Sequence, residues 1–410
     1  MTMTSMRSQS IGSPVGKSCG LRTSQLLLLA VVGSLVGCRS IPERNPLPVD
    51  LADQAVIFGI PKVRNWGDEP SADVEEWLTQ SEEDLVAGWG GIMDLPHSYL
   101  ALSGGGANGA FGAGLLCGWT AHGDRPIFTV VTGISSGALI APFAFLGSDY
   151  DIRLRHLLTM HCTEEMVEER SMLETLTGDS VMNTDGMIDI IEEFFNQDLL
   201  DAVAEASLGG RELLVATTNL DAGRPVIWNL SRIAKSGMPG SLKLFQKIIY
   251  ASTAIPIAFP PVMIDVEVDG VPYDEMHVDG GATTQVFWFP IQVHWSRVTE
   301  RLRVKGTPNV YVIRNGLTDS RWKTIPRELI TIAMRSFDTL IRTQGVGDLY
   351  KIYVAAKRDG LDFHLASIPT DFTHPETELF DKAYMQALFS YAYKLAEDDY
   401  PWANAPEGVD

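Results

Sequence analysis

Positive charge is scarce in this chain. Against 52 acidic residues stand only 32 basic ones, so its 410 residues carry a formal net charge of −20. No basic patch and no basic stripe interleaved with aromatics offsets that balance, which excludes a nucleic-acid partner. The same acidity repels anionic lipid surfaces, so membrane attachment must rest on something other than charge. Cysteine is equally sparse: Cys19, Cys38, Cys117 and Cys162 are all there are. They form no Cys-x-x-Cys, and no His-Glu-x-x-His spacing or calcium loop occurs, so no metal and no cofactor is expected. The apolar run Leu26–Val36 is too short to cross a bilayer. Disorder is excluded as well, because 45% of the residues are apolar and only 20% charged. The length allows two or three domains.

What is present begins at the N-terminus. Arg7, Lys17 and Arg22 are the only charges ahead of the run Leu26–Val36, and Gly37-Cys38 follows it. A basic region, a short apolar region and a small-residue cleavage site make a secretory signal. Its ending, Leu35-Val36-Gly37-Cys38, resembles the lipobox of bacterial lipoproteins, which implies diacylglycerol on Cys38 and removal of the residues before it. Arg39 is not the aspartate that retains such proteins at the inner membrane, so a lipid-anchored place on the outer membrane is expected. Removal of residues 1–38 takes three positive charges away and moves the net charge from −20 to −23. Of the two cysteines left, Cys117 lies among Leu115, Leu116 and Trp119 and reads as a buried free thiol. Residues 39–95, rich in proline and acid, read as a tether with a short helix.

From about residue 97 the pattern changes to short apolar runs that end in glycine. Ser98–Leu102 leads into Gly104-Gly105-Gly106, and Ile127–Thr132 leads into Gly133. Leu213–Thr218 and Val310–Ile313 are similar, and helical stretches at 185–200 and 241–252 alternate with them. Continuous apolar runs suit strands buried on both faces, so the class is α/β, a three-layer α/β/α arrangement with a mostly parallel central sheet. The expected division is a catalytic domain over 96–300 and a C-terminal α/β extension over 301–410 packed on the core. In that extension Leu329, Ile330, Ala333, Phe337, Leu340 and Ile341 make one helical stripe, and Leu379, Phe380, Ala383, Tyr384, Ala387 and Leu388 another. Both read as packed core faces, since neither has the large basic face of an interfacial helix.

Three motifs carry chemistry. Gly104-Gly105-Gly106-Ala107-Asn108-Gly109 follows a strand and precedes a helix. Such a loop points backbone N–H groups and the positive end of a helix dipole into one small volume, which suits a phosphate or an oxyanion. Gly133-Ile134-Ser135-Ser136-Gly137 matches the nucleophile elbow, Gly-x-Ser-x-Gly, and selects Ser135 over Ser136 as the exposed hydroxyl. Pro142 falls within the second turn of the helix after it and removes one backbone bond there. His277-Val278-Asp279-Gly280-Gly281 supplies a carboxylate on a loop able to pass close to another backbone.

The glycine loop, an elbow 31 residues after Gly104 and an Asp-Gly-Gly 144 residues after Ser135, in this order, resemble the patatin-like phospholipase family. The stretch Ala251-Ser252-Thr253-Ala254-Ile255-Pro256, followed by Phe259-Pro260-Pro261, resembles that family's block between elbow and aspartate. The resemblance covers about residues 97–290. It implies a Ser135–Asp279 dyad without histidine, an acyl-enzyme on Ser135, and an oxyanion held by the loop Gly104, Gly105, Gly106, Asn108 and Gly109 through the N–H groups of Gly105 and Gly106. Gly133, Gly137, Gly280 and Gly281 complete the motifs, and the implied substrate is a lipid or phospholipid. A carboxylate serves as a base near neutrality only if burial raises its pKa. Two departures stand out: Asn108 occupies a position where the family usually has Lys or Arg, and Ala282-Thr283-Thr284-Gln285 replaces an Asn-Pro continuation. Two other readings remain: an α/β-hydrolase esterase with a Ser–Asp–His triad drawing on His294, His364 or His374, and a non-catalytic envelope scaffold. His277, two residues before Asp279, is expected to brace the loop by hydrogen bonding.

Overall fold

A computed structural model describes residues 43–57, 59–70, 72–317, 322 and 324–409. The expected signal segment and Cys38 lie outside the described residues. The strands in chain order are β1 (Arg64–Trp66), β2 (Ser98–Leu102), β3 (Val130–Gly133), β4 (Glu168–Glu169), β5 (Met182–Asn183), β6 (Glu212–Asn219), β7 (Arg224–Asn229), β8 (Val262–Val268), β9 (Val271–Asp279), β10 (Asn309–Arg314) and β11 (Asp362–Ser367). All but β4 and β5 join one sheet in the order β1-β7-β6-β3-β2-β10-β11, with β9 also paired to β6 and β8 to β9. The five strands from β6 to β11 run parallel, and β1, β7, β8 and β9 are antiparallel to their neighbours.

The apolar runs are continuous because both faces of the parallel strands are covered. Leu100, Leu102, Val131, Leu213, Val215 and Ile313 face one cluster, with helices Gly109–His122, Ser136–Leu146, Ser241–Thr253 and Lys382–Glu397. Tyr99, Ala101, Val130, Leu214, Val310 and Val312 face the other, with Glu82–Trp89, Trp295–Arg301 and the C-terminal half of Leu329–Arg358. A strand's side chains alternate between faces, so each residue of these runs enters one core or the other. The expected α/β/α layering is therefore the architecture of the molecule.

One feature of β6 places the site. Its first half, Glu212–Val215, pairs with β3, and its second half, Thr217–Asn219, pairs with β9, while β7 takes the opposite edge. β3 and β9 therefore approach each other head-on along one edge of a single strand. Gly133 stands opposite Val215 and Asp279 opposite Thr217, with only Ala216 between. The elbow after β3 and the carboxylate at the end of β9 meet at that gap.

Several expectations need correction. From Arg44 onward the acidic N-terminal stretch is folded onto the sheet and is not a tether: β1 pairs with β7, and Arg44 bonds Asp221 and Asp274. Residues 301–410 supply β10 and β11 to the sheet, β10 directly beside β2, so they complete the core instead of extending it. The helical pattern at 185–200 is two helices, Asp185–Phe194 and Gln197–Ala206, because the Asn196 side chain caps the second by accepting from the Leu199 N–H at 3.2 Å. The stripe Leu329–Ile341 is not a packed face. Leu329 is 85% and Leu340 69% exposed, and helix Leu329–Arg358 is buried only from Gly345 on. The period was legible, but in that half of the helix only Met334 is packed against the core cluster among the described residues. The second stripe does pack, through Phe380, Tyr384 and Leu388. Cys117 is buried and free, and burial pushes its thiol up to about 12.

Candidate active site

Ser135 sits on a forced turn. Its φ of 55° and ψ of −125° are a conformation that costs a residue with a side chain about 1–3 kcal/mol. The turn is tight because strand and helix nearly touch: a Cβ on Gly137 would lie 2.4 Å from the Leu102 carbonyl. The Ser135 backbone N–H donates to Ser252 Oγ at 3.0 Å, and Ser252 Oγ donates onward to the Ala216 carbonyl at 2.7 Å. Ala216 is the residue left between β3 and β9, so Ser252 fills the gap and fixes the elbow to it.

Asp279 arrives from the other side. Its N–H donates to the Ala254 carbonyl at 2.8 Å, its Oδ1 accepts from the Gly281 N–H at 2.7 Å, and its Oδ2 accepts from Ser135 Oγ at 2.6 Å. Ser135 is 7% and Asp279 4% exposed. Burial pushes the Asp279 carboxyl from 3.8 up to about 7, against the hydrogen bonds from Ser135 and Gly281 that favour its ionised form. The block quoted from the sequence thus touches both residues: Ser252 holds one and Ala254 the other.

The glycine loop contributes fewer free donors than its composition promises. The Gly104 N–H is taken by the Gln285 carbonyl at 3.1 Å, and the Asn108 N–H by the Gly105 carbonyl at 3.1 Å. Asn108 Oδ1 accepts from the Tyr384 hydroxyl at 2.5 Å, and the Gly109 N–H turns back to the carbonyls of Gly106 and Ala107. Among the described residues the N–H groups of Gly105 and Gly106 donate to no protein acceptor. Gly105 cannot be larger, because a Cβ there would lie 1.9 Å from the Asn315 carbonyl oxygen. Asn315 is itself pinned, accepting from the Gly112 N–H at 3.0 Å and donating through Nδ2 to the Ser103 carbonyl at 2.8 Å.

A cavity of about 500 Å³ opens above these groups, with Gly105, Gly106, Ser135 and Asp279 at its floor. Its walls are largely apolar: Ile255, Ile330, Met334, Phe337, Ile341 and Leu379. The exposed half of helix Leu329–Arg358 forms one side of the mouth.

None of the histidines reaches the pair. His294 faces Asp359 at 3.7 Å, His364 bonds Asn309 at 2.9 Å and stacks on Tyr311, and His374 bonds the Pro375 carbonyl at 3.0 Å. His277 is fully buried one layer behind Asp279. Trp228 Nε1 donates to Thr217 Oγ1 at 2.8 Å, which leaves the Thr217 hydroxyl to donate to His277 Nδ1 at 2.8 Å. The ring's Nε2–H then donates to Glu275 at 3.1 Å, and Glu275 also holds Arg64. Burial lowers the pKa of His277. The network ties β9 to β6 through Thr217, so this histidine bonds strand residues where the loop was expected.

Sequence reasoning missed Ser252 as a brace, and it missed Gln285, Asn315 and Asp348. Asp348 Oδ2 accepts from the Gln285 N–H at 2.8 Å and from Thr284 Oγ1 at 3.1 Å, tying the loop after Asp279 to the long C-terminal helix. No local signal marks such partners.

A family model for patatin-like phospholipase matches residues 100–289, a span that holds the glycine loop, the elbow and Asp279. No curated protein matches the chain. Among solved structures the chain is similar to the crystal structure of VipD from Legionella pneumophila, with 14% sequence identity and a TM-score of 0.32, covering 74% of this chain and 67% of that one.

Proposed function

Residues 100–289 belong to the patatin-like phospholipase family, and from that premise we propose that the protein hydrolyses lipid esters with Ser135 as nucleophile and Asp279 as its base. The observation that carries this reading is the 2.6 Å hydrogen bond from Ser135 Oγ to Asp279 Oδ2 at the floor of an apolar cavity. A serine hydroxyl needs a base in contact to attack an ester. A carboxylate raised to about 7 matches that task near neutral pH better than an ordinary aspartate does.

In the reaction Ser135 Oγ attacks the ester carbonyl and its proton passes to Asp279 Oδ2. The carbonyl oxygen gains the negative charge and is received by the N–H groups of Gly105 and Gly106. Donors already fixed in place stabilise charge that develops only in the transition state, about 10²–10³ in rate for one such donor. Collapse breaks the ester C–O bond, and the departing alcohol takes the proton from Asp279. Water then attacks the acyl-enzyme and gives a proton to Asp279, which returns it to Ser135 Oγ as the Oγ–acyl bond breaks and the fatty acid leaves. Ile255, Met334, Phe337 and Ile341 suit an acyl chain in the cavity.

Loss of hydrolysis of p-nitrophenyl butyrate in Ser135→Ala and in Asp279→Asn, with Ser136→Ala active, tests the assignment. Fluorophosphonate labelling of Ser135 separates an enzyme from a scaffold that merely keeps the fold: a folded wild type that takes no label sinks the reading.

The anchoring reading rests on sequence alone. Leu35-Val36-Gly37-Cys38 supports diacylglycerol on Cys38 and an outer-membrane location. Palmitate labelling that persists in Cys38→Ser rules this out.

A further inference from the structure

Beside the glycine loop lies a second cavity, of about 200 Å³, lined by Gly104, Asn108, Gln285, Arg314, Arg335 and Arg342 among others. It shares Gln285, Arg335, Asp338 and Ile341 with the cavity above Ser135, so the two adjoin. Their linings differ: the one above Ser135 is mostly apolar with Arg335 as its one basic residue, while the second adds Arg314 and Arg342.

Arg314 is the unusual member. It ends β10, next to the pinned Asn315, and is 6% exposed. Its Nη2 donates to the Arg342 carbonyl at 3.3 Å, and its buried Nη1 has no hydrogen-bond partner. No carboxylate lies within ion-pair distance of it among the described residues. The one carboxylate on the cavity wall, Asp338, is paired with Arg335 at 2.8 Å. The nearby buried Asp348 is spent on the backbone of Gln285, on Thr284 and on Lys351. Burial lowers the Arg314 pKa to about 10, which leaves it charged at neutral pH. Three guanidinium groups thus line this cavity against a single paired carboxylate, in a chain that carries −20.

A buried guanidinium with no carboxylate in ion-pair contact is costly, and an anion that completes it recovers that cost. Its planar fork suits the two oxygens of a phosphate. Gly345 keeps the approach open, since a Cβ there would stand 3.7 Å from Arg314 Nη2 and 3.2 Å from Gln285 Cβ. We propose that this cavity is a subsite for a phosphate group, with Arg314 as its principal donor, and that the phosphate is the head-group phosphodiester of the lipid whose ester lies over Ser135. This rests on the hydrolase reading above. A phospholipid divides in the same way as the two cavities: an apolar chain on one side of the ester and an anionic group on the other. The cation absent from the glycine loop, where Asn108 stands, is supplied from β10 instead.

The test compares phosphatidylglycerol with diacylglycerol of the same acyl chains, in neutral detergent micelles, for the wild type, Arg314→Gln and Arg314→Lys. The ratio of the two kcat/KM values should fall at least tenfold in Arg314→Gln, with partial recovery in Arg314→Lys. Binding of glycerophosphorylglycerol and of inorganic phosphate to Ser135→Ala, followed by calorimetry, needs no turnover and so stays informative if the hydrolase reading fails. Binding of both anions to Ser135→Ala, lost in the Ser135→Ala Arg314→Gln double variant while the lipid ratio stays put, keeps the phosphate site and assigns it to a free anion. An unchanged ratio together with no Arg314-dependent binding of either anion overturns the proposal. If Arg314→Gln does not fold, Arg314→Lys against the wild type decides, because a point charge in place of the fork should still lower the ratio severalfold.

Discussion

Ser252 supports Ser135 from beneath. Its hydroxyl accepts a hydrogen bond from the Ser135 N–H at 3.0 Å and donates one to the Ala216 carbonyl at 2.7 Å, at the point where β3 and β9 come end to end. The bond matters because Ser135 is held at positive φ, where the backbone does not rest by preference. Ser252→Ala leaves a buried N–H and a buried carbonyl unpaired, at about 1–3 kcal/mol in stability. It should also lower kcat on p-nitrophenyl butyrate by about tenfold with little change in KM, because a relaxed elbow moves Oγ away from Asp279. Ser252→Thr, which keeps the hydroxyl, should recover most of the kcat if it folds. Equal kcat in a folded Ser252→Ala and the wild type would show that the turn holds without its brace.

The raised carboxyl of Asp279 has two consequences with opposite slopes. In its proposed role as base it must be ionised, so kcat/KM should climb about tenfold per pH unit well below 7 and level off above about 7. Stability runs the other way. Between about pH 4 and 7 the folded state keeps a proton that the unfolded chain has released, so this contribution is full at low pH and is lost as pH rises through about 7. Asp279→Asn has no such proton. Urea denaturation should therefore show the Asn variant gaining on the wild type from pH 4 to 7, by about 1.4 kcal/mol for each step of one in pH. Parallel stability profiles for the two proteins would mean that burial does not perturb this carboxyl.

The histidines supply the contrast with a triad. His294→Gln, His364→Gln and His374→Gln should each keep kcat/KM within about tenfold, or about 1.4 kcal/mol in barrier. His277→Gln should also stay active at the temperature where it is folded, but with a lower melting temperature, because it breaks the buried link between Thr217 and Glu275. A folded histidine variant as inactive as Ser135→Ala would replace the dyad with a triad.

The parts of the site legible in the sequence are those whose constraint is local. A strand that runs into Gly-x-Ser-x-Gly or Asp-Gly-Gly announces a backbone turn, and the glycines at 105 and 137 are dictated by contacts under 3 Å. The architecture was legible for a similar reason, since runs such as Ser98–Leu102 need cover on both faces. Ser252 and Asn315 gave no such signal. Their partners lie 117 and 212 residues away, and only the sheet order brings them together. Helix Leu329–Arg358 shows a different limit. Its period identifies an apolar face correctly, but a period does not say how much of that face is covered: Met334 packs against the core, while Leu329 and Leu340 stay exposed.

That uncovered face makes the last prediction. Leu329 is 85%, Leu340 69% and Ile332 48% exposed, on the same helix from which Ile330, Met334, Phe337 and Ile341 line the cavity. Among the described residues here, Arg327, Arg335 and Arg342 stand against Glu328 and Asp338, so the acidity of the chain as a whole is not repeated. Exposed apolar side chains around the entrance to the proposed lipid-hydrolysing site suit one occupant, the surface of a lipid aggregate, which would receive them and present its esters to the mouth. Leu329→Asp with Leu340→Asp should reduce hydrolysis of phospholipid vesicles at least tenfold while changing hydrolysis of monomeric p-nitrophenyl butyrate much less, because neither side chain is among those that line the cavity. Flotation with vesicles should show the same loss of binding in Ser135→Ala carrying both substitutions. If vesicles and monomers lose activity in equal measure, the helix shapes the cavity and does not meet the lipid surface.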